Sequence, residues 1–157
     1  MRFFFYGTLL DSDMRRAVCG PAADRWRLLP AWIAGWRRGR EASFAYPFLV
    51  AAHGGMVEGL AAELIDPTGA ADMTLYEGEG YRSEQVRIHL AAAEADAWIF
   101  LPRRPVEAPL PWSLAAWVRE HKPRSLQATQ RWRAGVEPAE RERLRRWWAT
   151  RTGAPGS

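Results

Sequence analysis

The chain opens Met1-Arg2-Phe3-Phe4-Phe5-Tyr6-Gly7-Thr8-Leu9-Leu10-Asp11-Ser12-Asp13, and its fold depends on how this stretch is read. Residues 2–6 have the apolar, aromatic content of a buried strand. Gly7-Thr8 breaks the run, and Asp11 then offers a side-chain acceptor to the start of a short helix through Met14 to Val18. Such a break is either a plain turn or a place where glycine lets a small molecule reach bare backbone N–H groups. Residues further along the chain have to distinguish a connection from a site.

Outward from this stretch, strands come first and helices last. Trp26 to Val50 is irregular in pattern, with a strand suggested by Trp32, Ile33 and Trp36 and a turn at Gly39. A bend is expected at Ala45-Tyr46-Pro47, because proline fixes its own φ and restrains the residue before it. His53-Gly54-Gly55 reads as a hairpin turn into a strand from Met56 to Ile65. Asp66-Pro67 is a helix start, so a helix is predicted from Pro67 to about Glu77, weakened at Gly69 and stopped by Gly78. Tyr81 to Leu90 alternates, with Val86, Ile88 and Leu90 on one face, and is predicted to pair with Ala97–Leu101 across a turn at Glu94-Ala95-Asp96. After a proline-rich connector, Arg103 to Pro111, helices are predicted over Ser113–His121, Arg124–Arg133 and Pro138–Thr150. Residues 153–157 are expected to be disordered. This order predicts an α+β fold and a single domain over residues 1–152.

Composition narrows the function classes. The 157 residues are 48% hydrophobic and 25% charged, enough to bury one core. A net charge of +4, concentrated in Arg37–Arg40 and Arg141–Arg151, is compatible with nucleic acid without implying it. The single cysteine, Cys19, excludes an intrachain disulfide and suits a reducing cytosol. Arg2 before Phe3–Leu10 imitates a signal peptide, but the run is broken and short, and Arg15 and Arg16 occupy the place of a cleavage site. No later run nears the roughly 20 apolar residues of a membrane helix. A cytoplasmic protein with no membrane contact is therefore expected. His53, His89 and His121 are far apart and lack neighbours at ligand spacing, so no metal site is expected. A phosphate-binding glycine loop and a Gly-x-Ser-x-Gly nucleophile elbow are both missing.

Leu75-Tyr76-Glu77-Gly78-Glu79-Gly80-Tyr81-Arg82 is the stretch with most chemical promise. It sets Glu77 at a predicted helix C-terminus, where the helix dipole disfavours negative charge. A residue placed against local electrostatics is one that function can explain, the competing reading being a solvated carboxylate. Glu79, between two glycines, reads as exposed, and Arg82 as facing solvent.

Tyr6-Gly7-Thr8-Leu9 after the first strand, Tyr46-Pro47, Val57-Glu58-Gly59-Leu60, and Leu75-Tyr76-Glu77-Gly78 followed by Tyr81-Arg82 together resemble the gamma-glutamylcyclotransferase-like family, which includes the AIG2-like proteins. The resemblance spans roughly Arg2 to Ile88. It implies a small closed mixed β-barrel flanked by helices. It also implies release of 5-oxoproline from a γ-glutamyl compound, an acyl transfer in which the substrate's own α-amine attacks its γ-carbonyl. No cofactor is called for. By the resemblance Glu77 is the general acid and base, and the N–H groups of Gly7, Thr8 and Leu9 hold the glutamyl part. Tyr6 and Tyr81 become pocket walls or donors, although buried aromatics satisfied by backbone would look the same in sequence.

The helical tail supplies the rival reading. Leu144, Trp147 and Trp148 fall on one face of a helix, among Arg141, Arg143, Arg145, Arg146 and Arg151, and Arg131-Trp132-Arg133 repeats the mixture. The favoured expectation is that the tryptophans dock on the barrel while the arginines are solvated. The alternatives are closure of the tail over the substrate's leaving group, or a non-catalytic protein on the same scaffold that senses a small ligand or binds nucleic acid or another acidic partner.

Overall fold

Phe3, Phe4 and Phe5 are all buried, and alternation sends them to different places. In the computed structural model, which describes residues 1–151, they lie in strand β1 (Arg2–Phe5). Phe3 and Phe5 join Val18, Trp26, Met73 and Trp148 in a core between the sheet and the helices. Phe4 joins Ile33, Val57, Ala61, Ile88 and Ile99, one or more from every strand and none from a helix, which makes this second cluster the interior of a barrel. A strand buried on both faces reads as a continuous apolar run, and β1 does.

Five strands close that barrel in the order β1-β3-β2-β4-β5. β2 (Arg27–Gly39) and β3 (Phe48–Glu63) form a long antiparallel hairpin, and β3 also pairs with β1 from Arg2↔Glu63 to Phe5↔Leu60. β4 (Tyr81–His89) and β5 (Glu94–Pro102) form a second hairpin, and the parallel pair Phe3↔Trp98 closes the ring. The expected α+β fold, a closed mixed barrel with helices outside it, is the observed one.

Two turns differ from the sequence reading. His53-Gly54-Gly55 is not a hairpin turn. The chain passes through it inside β3 and resumes pairing with the same partner, the register jumping from Trp36↔Ala51 to Ala34↔Met56. Gly35 and Gly54 adopt positive φ there, and a Cβ on Gly55 would stand 2.4 Å from the Trp36 carbonyl, so the glycines serve a bulge that bends the hairpin. The hairpin turns instead across residues 40–47, between the predicted Gly39 turn and the Tyr46-Pro47 bend. Glu94-Ala95-Asp96 likewise opens β5, and the turn lies at residues 90–93, closed by Leu90 N–H on the Ala93 carbonyl. The polar residues that suggested a turn are cross-strand partners, Glu94 with His89 and Asp96 with Arg87. β2 is also longer than its irregular pattern suggested. It tolerates Pro30 because β4 reaches β2 only at Trp32↔His89, leaving that stretch paired on one side.

Helices cover the β1 side of the barrel. α1 (Ser12–Cys19) is capped by Asp11, whose carboxylate accepts the Met14 N–H as expected. It carries Cys19, a buried thiol 3.8 Å from the Gly69 carbonyl. α2 (Thr68–Glu77) is tied at its start by Asp66 accepting the Thr68 N–H and stops at Gly78, φ 69°. Gly69 is no weak point: a Cβ there would stand 2.4 Å from the Trp26 ring. Then follow α3 (Leu114–Glu120), α4 (Lys122–Ala134) and α5 (Pro138–Ala149), close to their predicted limits. The disorder expected over 153–157 lies outside the described residues.

The tail docks through Trp148, fully buried edge-on against Phe3 and Trp98, with its indole N–H donating to Thr74 Oγ1 at 2.8 Å. Trp147 stays partly exposed, under Arg151. Arg143 and Arg146 are exposed and Arg145 partly so, as expected of a solvated set, and Arg141 is the exception. Arg141 turns inward and grips the buried Asp72 of α2 with two bonds of 2.5 and 2.7 Å. Arg143 pairs with Glu140, and Arg145 and Arg146 pair with Glu142.

Candidate active site

β1 loses its partner β3 after Phe5↔Leu60, and the chain beyond it forms one wall of a cavity of about 300 Å³. Tyr6 stays buried and donates its hydroxyl to the Phe100 carbonyl at 2.7 Å. Gly7 passes so near Pro47 that a Cβ would sit 3.1 Å from its ring. Thr8–Leu10 then makes one tight turn, in which Leu10 N–H donates to Gly7 and Asp11 N–H to Thr8. The N–H groups of Gly7, Thr8 and Leu9 precede those bonds and find no protein acceptor among the described residues. The break in the strand therefore exposes donors.

Two arginines hold this loop from behind. Arg15, buried in α1, donates one nitrogen to the carbonyls of both Leu9 and Leu10 at 2.8 Å. Arg38 of β2 donates to the Tyr6 carbonyl at 2.9 Å and to that of Glu58 at 3.3 Å, its guanidinium lying over Trp112.

Opposite the loop, the last residue of α2 is Glu77, partly buried and facing the cavity. Burial raises its carboxyl from 4.5 to about 7, and no cation or donor among the described residues pulls it back. Tyr81 stands beside it where β4 begins, its hydroxyl pushed far up by burial and then by the Glu77 charge. All six residues expected at the site, Tyr6, Gly7, Thr8, Leu9, Glu77 and Tyr81, thus line one cavity. Glu79 and Arg82 do not, Glu79 being exposed and Arg82 donating outward to Pro102 and Glu84.

Residues 3–134 match the family described as Gamma-glutamyl cyclotransferase, AIG2-like. The chain belongs to that family. No curated protein matches the sequence. Solved structures share the fold. A solution structure of an Arabidopsis thaliana protein superposes with a TM-score of 0.60 at 19% identity, over 81% of this chain and 86% of that one. A second Arabidopsis thaliana protein gives 0.60 at 17%, over 88% of each. A structure named Gamma-glutamyl cyclotransferase gives 0.58 at 12%, over 91% of this chain and 85% of that one.

In this AIG2-like chain all four tyrosines, Tyr6, Tyr46, Tyr76 and Tyr81, line the cavity, while among the described residues no lysine or arginine does. Burial and the Glu77 charge raise all four hydroxyls, so they stay protonated as donors at neutral pH. Among the described residues the wall holds a single ionisable group that changes state near pH 7, Glu77. Tyr46 and Pro47 were among the residues that carried the resemblance, without an assigned place in the site. Tyr76, Trp117 of α3 and Ser125 of α4 are additions from the structure. Trp117 and Ser125 lie beyond the stretch with recognisable motifs, and no local pattern marks them. α3 and α4 each contribute a residue to the cavity wall, whereas the lining residues include none from α5, the helix that carries Arg141, Arg143, Arg145 and Arg146. Among the described residues no three metal-ligating side chains cluster, and no helix is long and apolar enough to cross a membrane.

Proposed function

We propose that the protein is a gamma-glutamylcyclotransferase acting on a small γ-glutamyl amino acid, peptide or amine. One observation carries the reading: a carboxyl of pKa about 7 faces the unpaired N–H groups of the Tyr6–Leu9 loop across a cavity of substrate size. An α-ammonium cannot attack, so Glu77 takes its proton. The freed amine forms a C–N bond to the γ-carbon and gives up a second proton as it becomes the lactam N–H, the bond from that carbon to the leaving nitrogen breaks, and both protons end on the departing amine, Glu77 relaying them one at a time. The products are 5-oxoproline and a free amine. A group whose pKa lies near the working pH can accept and then donate, and such general acid–base catalysis contributes roughly 10²–10⁴-fold. The loop's backbone donors are already in place and need no rearrangement as charge develops.

The test is incubation of the purified protein with a panel of γ-glutamyl compounds, with 5-oxoproline followed by mass spectrometry. Release by wild type and its loss in Glu77→Gln are the expected results. A folded wild type that releases none from any compound removes the reading.

A further inference from the structure

Of the two arginines behind the loop, the one on β2 does more than fill space. A trans peptide points its N–H opposite to its C=O, so whatever fixes the Tyr6 carbonyl also fixes the direction of the Gly7 N–H. Arg38 fixes it. Its nitrogen bridges the carbonyls of Tyr6 and Glu58 at the point where β1 stops pairing with β3, standing in for the ladder bond that the strands no longer make. Its guanidinium is held in turn over Trp112, whose indole N–H donates to the Ala45 carbonyl beside Tyr46 of the cavity wall. Arg15 differs in what it controls. The Leu9–Leu10 peptide it holds has already used its N–H to close the turn onto Gly7, so Arg15 shapes the loop without aiming a free donor.

We propose that Arg38 is a positioning residue that aims the Gly7 N–H into the cavity as a donor to the glutamyl part of the substrate. This rests on the cavity being a γ-glutamyl site. Glycine at position 7 leaves the aimed donor uncovered, and Pro47 leaves no slack for a side chain there. A charged donor on the carbonyl also polarises the peptide, which strengthens its N–H. Arg38 is not among the residues that line the cavity. Its loss should therefore weaken binding and leave the proton transfer as it was.

The experiment compares wild type, Arg38→Gln and Arg38→Lys in two measurements: turnover of a γ-glutamyl compound across pH, and the Gly7 amide resonance in 15N–1H spectra. For Arg38→Gln a rise in KM of about 10- to 100-fold is expected, the scale of one oriented hydrogen bond to a charged group. The kcat should stay within about threefold, and its acid limb should not move. Arg38→Lys, which keeps a cation able to reach the carbonyl, should fall between. The Gly7 amide proton should move upfield in Arg38→Gln. An unchanged KM together with an unmoved Gly7 amide in a folded variant overturns the proposal, and Arg38→Lys carries the same comparison if Arg38→Gln does not fold. If wild type releases no 5-oxoproline, the functional reading falls by itself. The Gly7 amide then decides for Arg38, a shift supporting the brace and no shift removing it.

Discussion

Glu77 shows what a single residue costs and what sequence can say about it. Its place at the end of a helix, against the dipole, singles it out from sequence alone, and the cavity supplies the reason. Burial has lifted its carboxyl from 4.5 to about 7, so the folded protein holds this proton over a range where the unfolded chain has lost it. The stability tied to that proton is whole below pH 4.5 and is lost as pH rises through 7. By the usual conversion this is about 3 kcal/mol. Glu77→Gln has no charge to bury and should be more stable than wild type by roughly 2–3 kcal/mol at pH 8, with the gap closing near pH 4. Urea denaturation at the two pH values measures it, and an equal gap at both would sink the account. The same ionisation should place the acid limb of kcat/KM near pH 7. Arg15 and Arg38, in contrast, were illegible as site residues. An arginine in a helix or strand reads as solvated, and only tertiary structure reveals the carbonyls it finds.

Among elements, those fixed by local chemistry were readable, and those fixed by a partner were not. Asp11 and Asp66 mark helix starts and Gly78 marks a stop, because capping depends on a few adjacent residues. The Gly54 bulge has the glycine signature of a turn, and only β2 continuing opposite it shows that the chain goes straight on. The polar start of β5 misleads for the same reason, since its partners lie on β4. The junction of α2 and α5 also escaped the sequence, being a buried Asp72 met by Arg141 from 69 residues away. Arg141→Met leaves that carboxylate with only Arg133, at 3.5 Å, and should cost about 2–3 kcal/mol. Adding Asp72→Asn removes the stranded charge and should recover most of the loss. Denaturation midpoints of the two variants decide it, and a double variant no better than the single one would show that the ion pair is not the cause.

At the scale of the whole molecule, the family match ends at residue 134, and α5 begins at Pro138. The helix is nevertheless part of the core. Trp148 fills the space over Phe3 and Trp98, and Arg141 neutralises Asp72. Ending the chain at residue 137 removes both, and loss of a buried tryptophan alone costs about 3–5 kcal/mol. At about 2–4 °C per kcal/mol for a chain of this size, the shortened protein should melt well over 10 °C lower or show no cooperative transition, as followed by circular dichroism. A melting temperature within a few degrees of the full chain would make α5 an appendage.

The lone thiol of Cys19 lies where α1 faces Gly69 of α2, and burial drives its ionisation far above neutral pH. A maleimide or disulfide reagent can therefore react with this protein only in moments when those helices part. Its labelling rate is a built-in clock for opening of the wall behind the cavity, and it needs no engineered probe.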